Sequence, residues 1–449
     1  MKSLVFQSST LQDLREKLLA TAPLESAAIL LAGHSIRPNS KRLLIRDIEI
    51  VDSESCLAQN EGGVTVSPSF LAPRIKRARL EGWSFILAHS HPFSRAPKFS
   101  AVDDECERIL MPTVFGRAAG RPHGSLVLGV KGFDARINTE INHSEIVDEL
   151  RQVGNTLRIE RRESPQHIEE KRFDRNVRAF GVDGQRILAS MQVGIVGLGG
   201  VGSLVAQQLA YLGVGSLVLL DPDKIDVTNL NRVVGATSKD VGRAKVDVAS
   251  DHVKRISSQT RVMQIKGSAI VAAEGSSLLD TDVIFCCTDS HGSRAVLNQI
   301  AYQYFIPVFD LGTRIDARDG VVTDITGRAQ MLAPGLACLV CQNLLDPEEV
   351  RRDSLSEQER QRDPYIVGSP EPAPAPAVIS INGTIASLGV TMFLSAVTGI
   401  GGQARHQIYL GDRGIVRSIE SRQTEGCIVC SRRGALGRGD IWKLPWRTA

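Results

Sequence analysis

"VGIVGLGGVGSLVAQQLAYLGVGSLVLLDPD", residues 193–223, sets two short apolar runs on either side of a small-residue helical pattern. The runs "VGIVG" and "SLVLLD" lack polar alternation, as strands covered on both faces do. Gly197, Gly199 and Gly202 lie between the first run and the helix in a G-x-G-x-x-G spacing, with Gly200 as a fourth glycine. Such glycines let backbone N–H groups approach a phosphate chain at a helix N-terminus, and Asp221 closes the second run where an acid can take ribose hydroxyls. Alone, the fingerprint says dinucleotide, NAD or FAD. Farther out, "DVIFCCT" and "IPVFDLG" repeat the buried-strand pattern between helical stretches, which predicts a parallel, doubly wound α/β sheet from about residue 176 onward.

The residues beyond the glycines argue for ATP. "DPDKIDVTNLNR" places Asp223, Asn229 and Arg232 just past the second strand, Lys245 lies in the next helix, and Asp289 follows "DVIFCCT". Cations and a carboxylate at the strand ends suit a triphosphate with magnesium, whose charge must be neutralised as pyrophosphate leaves. Hydride transfer needs none of them. Cys338 and Cys341, then Cys427 and Cys430, form two C-x-x-C pairs, enough thiolates for a closed, structural zinc site. A redox pair is the rival reading, and two such pairs in one domain favour zinc.

With "RFDRNVRAFGVDGQRIL" before the glycines and "CTDS" after them, the chain resembles the ThiF/MoeB family across most of residues 172–430, a core shared with ubiquitin-activating enzymes. The resemblance implies adenylation of the C-terminal glycine of a ubiquitin-like protein. It assigns Asp221 to ribose, Asn229, Arg232 and Lys245 to phosphates, and Asp289 to magnesium. Arg175 would reach the site across a homodimer interface. Ser290 stands where the family pattern has asparagine. Many relatives carry a thioester-forming cysteine in the crossing segment, whereas here none occurs between Cys341 and Cys427. Of the remaining thiols Cys56, Cys106, Cys286 and Cys287, the last two lie in an apolar strand, so an acyl-adenylate handed directly to another molecule is expected.

Residues 1–145 read differently. A helix in "STLQDLREKLLAT", capped by Ser8 or Thr10, is interleaved with strands such as "SAAILLAG", "LLIRDIEIV", "WSFILAHSH" and "GSLVLGVKG", which predicts a compact α+β domain. Alternate side chains of a strand share a face, so His89 and His91 project together. Ser100 and Asp103 have the spacing of a helix-capping pair. An H-x-H alone is a common polar strand end, and S-x-x-D alone a common cap. Joined as "HSHP" followed by S-x-x-D, they resemble the JAMM (JAB/MPN) zinc peptidases, with a Pro92 to Ser100 gap one residue longer than that pattern. That resemblance implies catalytic zinc on His89, His91 and Asp103, Glu25 as proton shuttle, and Ser100 as oxyanion stabiliser.

Residues 146–171 are charge-dense and predict a helical linker; residues 172–449 form the adenylation domain, with an irregular crossing segment at 342–378 ending in "GSPEPAPAPAV". The length of 449 residues calls for at least two domains. A net charge of +3 gives no concentrated basic field, so nucleic acid is not expected as a partner. No stretch reads as long and apolar enough to cross a bilayer, and the N-terminus lacks a signal-like run, so a cytoplasmic protein is expected. Fusions of these two domain types are found in bacterial ubiquitin-like modification systems, some linked to phage defence. The resemblance thus implies a bifunctional enzyme that activates a modifier and processes or deconjugates it, with a conjugating enzyme as a further partner. Two alternatives stay open: activation of a sulfur carrier for cofactor or cysteine biosynthesis, and a first domain that only binds modifiers.

Overall fold

The computed structural model describes residues 1–162, 171–366 and 375–447. The chain divides into two compact units. The first comprises Met1–Ser164, Gln303–Phe305 and Ala435–Trp442; the second comprises Pro165–Tyr302, Ile306–Gly434 and Lys443–Ala449.

The first unit runs β1 (Lys2–Gln7), α1 (Thr10–Leu19), β2 (Ala27–Ile36), β3 (Lys41–Ile50), β4 (Cys56–Asn60), β5 (Gly63–Val66), α2 (Pro68–Glu81) and β6 (Ser84–His91). It continues with α3 (Ala101–Arg117), β7 (His123–Gly129), β8 (Phe133–Glu140), β9 (His143–Ile146), β10 (Glu149–Val153) and β11 (Leu157–Arg161). Nine strands make one sheet in the order β11-β10-β1-β3-β2-β6-β7-β8-β9, and β4 and β5 form a separate hairpin. Both faces of β2 are covered, so its sequence is a continuous apolar run. Ala28, Leu30 and Ala32 pack with Leu11, Leu14 and Leu18 of α1, while Ala27, Ile29 and Leu31 pack with Phe70, Ile75 and Ala78 of α2 and Val114 of α3. Each such leucine contributes about 1.5–3 kcal/mol on burial. The N-cap of α1 is Ser9, not Ser8 or Thr10. Ser8 adopts φ 44°, and the Thr10 hydroxyl donates to Gln7 O at 2.7 Å.

The predicted helical linker is not a helix where it is described. Residues 149–153 and 157–161 are β10 and β11, which extend the sheet. The charges that suggested a solvated helix are paired within it: Glu149 and Arg151, both buried, contact each other, and Arg161 Nε lies 3.1 Å from Glu149. Leu150, Val153 and Leu157 supply the apolar positions. Residues 163–170 of that stretch lie outside the described residues.

The segment Ala435–Trp442 is integral to the first unit. Gly439, at φ 54°, passes so close to β2 that a Cβ there would fall 2.0 Å from His34 O. The Asp440 carboxylate accepts from Ile36 N at 2.9 Å, Arg37 Nη2 at 2.7 Å and the Tyr304 hydroxyl at 3.1 Å. Ile441 packs against the cluster around Trp83.

The second unit contains α4 (Asp174–Ser190), β12 (Gln192–Val196), α5 (Gly200–Tyr211), β13 (Ser216–Leu220), α6 (Lys245–Ile256), β14 (Arg261–Ile265), α7 (Ala272–Gly275) and β15 (Val283–Cys286). After these come α8 (His291–Gln303), β16 (Val308–Arg318), β17 (Val321–Leu332), α9 (Pro347–Ser354), α10 (Glu357–Arg360), α11 (Ile379–Thr398), β18 (His406–Leu410) and β19 (Ile415–Ser418). Strands β14-β13-β12-β15-β16 are parallel, as the sequence predicts. The sheet then departs from that prediction, because β16 to β19 are antiparallel. The reversal is made by Asp319 and Gly320, at φ 52° and 79°, a pair suited to a two-residue hairpin.

Two further expectations are corrected. The crossing segment is not irregular throughout: Asp346 caps α9 by accepting from Glu348 N at 2.8 Å, and α10 follows. Its residues 367–374, with most of the proline run, lie outside the described residues. Secondly, α11 does have the length and hydropathy of a membrane span. Its residues Ile385, Ala386, Gly389, Val390 and Phe393 are buried, and the helix packs on α5, β16 and β17.

Candidate functional site

In the first unit, strand register builds the site. β2 and β6 pair antiparallel with Ala27 opposite His89, and the same register carried two residues outward sets Glu25 opposite His91. Odd-numbered residues of β6 face α2 and α3, so both imidazoles emerge on that side. There α3 delivers Asp103, three residues into a capping box begun by Ser100. The four side chains meet. Ligand-type atoms of Glu25, His89 and His91 lie within 4.8 Å of one another; His91 Nε2 is 3.6 Å from Glu25 Oε1 and 3.4 Å from Asp103 Oδ2; and His89 Nε2 is 3.0 Å from Asp103 Oδ1.

Close approach here is not hydrogen bonding. Among the described residues, buried Glu25 Oε2 and His89 Nε2 have no aligned hydrogen-bond partner, although the latter touches Asp103. Buried polar atoms left this way converge on a point that a cation would satisfy. Two imidazoles and a carboxylate, with a second carboxylate beside them, form a donor set suited to catalytic zinc. Burial pushes the Glu25 carboxyl up against the pull of His89 and His91. For Asp103 burial acts in the same sense but is outweighed, and its interactions with both histidines hold it far below the usual carboxylate range. Ser100 forms the capping pair with Asp103 that its spacing predicts, its hydroxyl donating to Asp103 Oδ2 at 2.8 Å and accepting from Asp103 N at 3.2 Å. A cavity of about 280 Å³ adjoins His89 and Asp103, lined by Gly63 and Thr65 of the hairpin and by Leu110 of α3.

In the second unit the glycine turn has the tightness its sequence implies. Gly197 has φ 85°, and a Cβ on Gly202 would fall 1.8 Å from Gly197 O. Gly199 is the N-cap of α5 and Gly200 its first residue. Asp221 is buried and shapes this turn, accepting from Leu198 N at 2.6 Å and Asp223 N at 2.8 Å. Lys245 opens α6 with Nζ 2.7 Å from Asp223 Oδ2, and Asn229 accepts from Asp226 N at 3.2 Å. The Arg232 guanidinium donates to Thr228 O at 2.6 Å, and its Cδ lies 3.6 Å from where a side chain on Gly200 would begin. Backbone too close for a Cβ at Gly197 and Gly202, with cations beside the turn, fits a polyphosphate. Arg175 is exposed in the first turn of α4, and Asp289 is exposed just beyond β15. Ser290, the departure from the family pattern, accepts from Ser293 N at 3.1 Å at the start of α8.

Sequence reasoning missed the residues behind this turn. Buried Asp310 meets Arg328 Nη2 at 2.6 Å, and Arg294 Nε donates to Thr288 O at 3.1 Å, clamping the turn that carries Asp289. Nothing in the local pattern of β16 marks a charged pair there.

The four thiols gather as expected. Sγ atoms of Cys338 and Cys341 are 3.6 Å apart, Cys338 and Cys427 3.6 Å, and Cys341 and Cys430 3.4 Å. Disulfides would hold their sulfurs at about 2 Å. Ligands at about 2.3 Å from one tetrahedral zinc stand roughly 3.8 Å apart. The cluster therefore fits a zinc ion. Cys286 is buried, and Cys287 lies beneath the glycine turn, its Cβ 3.3 Å from where a side chain on Gly202 would start. Burial, with Asp310 nearby, pushes both thiols far above the ordinary range, which disfavours a thiolate at either. No reductant-sensitive thioester should accumulate on this chain when it is incubated with ATP and a carrier. Non-reducing gels showing one, lost on mutation of a single cysteine, would refute this.

The profile of the ThiF family matches residues 173–423. The chain belongs to that family. Among curated proteins, this ThiF-family chain is 27% identical over 256 residues to the sulfur carrier protein ThiS adenylyltransferase of Escherichia coli K12, covering 57% of the chain and 92% of that enzyme. It is 34% identical over 139 residues to the molybdopterin-synthase adenylyltransferase of the same organism, covering 30% of the chain and 56% of that enzyme. Among solved structures, E. coli MccB with ATP aligns with a TM-score of 0.46 at 21% identity, over 61% of this chain and 77% of that one.

Proposed function

We propose that the chain uses ATP to adenylate the C-terminal carboxylate of a ubiquitin-like or sulfur-carrier protein, and that its first unit hydrolyses a peptide or isopeptide bond at the same terminus. The observation that carries the reading is the convergence of Glu25, His89, His91 and Asp103 on a chain whose residues 173–423 belong to the ThiF family.

In the second unit the carrier's carboxylate oxygen attacks the α-phosphorus of ATP, the bond from that phosphorus to the bridging oxygen breaks, and pyrophosphate leaves. The α5 N-terminus, Arg232 and Lys245 face the charge that develops, Asn229 orients the phosphates, and Asp221 holds the glycine turn and the ribose. Asp289 would hold magnesium, which neutralises the departing charge when bound. Arg175, exposed on α4, is free to serve a second copy of the chain in a dimer.

In the first unit the residues form a JAMM-type peptidase site. His89, His91 and Asp103 would hold zinc, which when bound polarises the scissile carbonyl and makes water acidic. Glu25, whose pKa burial raises, takes and returns the proton. Ser100, bonded to Asp103, orients that carboxylate. Both reactions act on one protein tail, and fusion keeps them at high effective concentration around it.

Within that reading, a sulfur carrier as substrate is favoured by the name of one curated relative, the sulfur carrier protein ThiS adenylyltransferase. Pyrophosphate exchange with purified carriers from neighbouring genes tests adenylation, and zinc-dependent cleavage of a carrier fusion tests hydrolysis. A thiocarboxylate product favours the sulfur carrier; lysine conjugates favour a bacterial modifier system. Absence of exchange with every carrier would sink the adenylation reading.

A further inference from the structure

Asn382 lies in the first turn of α11 and is buried, with 3% relative exposure. Its Oδ1 accepts the Thr313 hydroxyl at 3.1 Å. That bond ties α11 to β16 and leaves the other end of the amide unused: among the described residues, Nδ2 has no hydrogen-bond partner. The amide nitrogen is directed at the first residue of α5, where a Cβ on Gly200 would fall 2.1 Å from it. Arg232 Cδ approaches the same point, 3.6 Å away. An N–H₂ on a side chain this buried that lacks a protein acceptor takes one from water or from a ligand. Here it is aimed at a helix N-terminus whose own first N–H groups also lack intrahelical partners.

We propose that Asn382 is a phosphate-binding residue of the adenylation site, its Nδ2 donating to an oxygen of the ATP phosphate chain. Thr313 is the positioning residue, because its hydroxyl fixes which end of the amide faces Gly200. This rests on the adenylation reading for its setting. It also explains why position 200 must be glycine, since any side chain would displace the donor.

Equilibrium binding of ATP, AMP and adenosine to the full chain, without a carrier, tests it. Asn382→Ala should weaken ATP about tenfold, and Asn382→Asp, which conserves shape but turns a donor into an anion, about a hundredfold. Adenosine should bind both variants within about twofold of wild type. Thr313→Val, which frees the amide to rotate, should weaken ATP roughly threefold. Retained ATP affinity in Asn382→Asp, or an equal loss for adenosine, would overturn the assignment, the second outcome marking a merely structural role. Melting temperature and zinc content report whether each variant folds; if Asn382→Ala does not, the near-isosteric Asp variant carries the test. A wild-type chain that binds ATP but exchanges with no carrier defeats the adenylation reading alone, while unchanged ATP binding in the variants defeats only the role of Asn382.

Discussion

Glu25→Gln is expected to slow cleavage of a carrier fusion by about 10²–10⁴ while leaving pyrophosphate exchange within about twofold. The substitution preserves volume and a polar atom beside His91, so it removes chiefly the ability to accept a proton. Glu25 is buried, with one oxygen 3.6 Å from His91 Nε2 and the other without a hydrogen-bond partner among the described residues. Zinc content measured with the kinetics separates chemistry from assembly, because Asp103 and the two histidines stay in place. Cleavage at the wild-type rate would show that hydrolysis does not use this carboxylate. A parallel loss of exchange would mean that the substitution damages the whole chain.

The other large effect is on folding. Gly439→Val should destabilise the first unit by at least about 3 kcal/mol, since it combines a β-branched residue at φ 54° with a side chain driven into the backbone of His34. For a unit of this size that lowers its melting by roughly 6–12 °C. Calorimetry should show the drop in one transition, while the transition that tracks nucleotide and zinc retention in the second unit stays unmoved. An unchanged melting profile would mean that Ala435–Trp442 only drapes over the first unit. Unlike truncation, this substitution leaves Arg447, which pairs with Val271 in the second unit, in place.

The parts of this molecule legible in its sequence are those where one local rule dominates. Glycines at 197, 199, 200 and 202 announce a tight turn beside a phosphate-sized cradle, and two C-x-x-C pairs announce a thiol cluster. His89 and His91 are readable as one face of a strand, and the partnership with Glu25 follows once the β2–β6 register is known. Where sequence and structure part, tertiary pairing overrides local composition. β10 and β11 look like a charged helix because their charges find partners in the sheet, not in water. The antiparallel half of the second sheet is signalled by Asp319–Gly320, a cue outweighed by the strong parallel pattern before it. Asn382 and Asp310 carry no cue, because a polar residue within a helix or strand acquires meaning only from what the fold places opposite it.

Residues 435–442 are synthesised roughly 270 residues after Ser164, so the first unit lacks one of its pieces until then. At about 5–20 residues per second that is a delay of roughly 15–55 s. Through that interval the edge of β2 near His34 waits without its last neighbour, while the chain that forms the second unit emerges. Proteolysis of nascent chains stalled before Ala435 should find the first unit labile. The first unit would thus be complete only on a chain whose second unit had already been made.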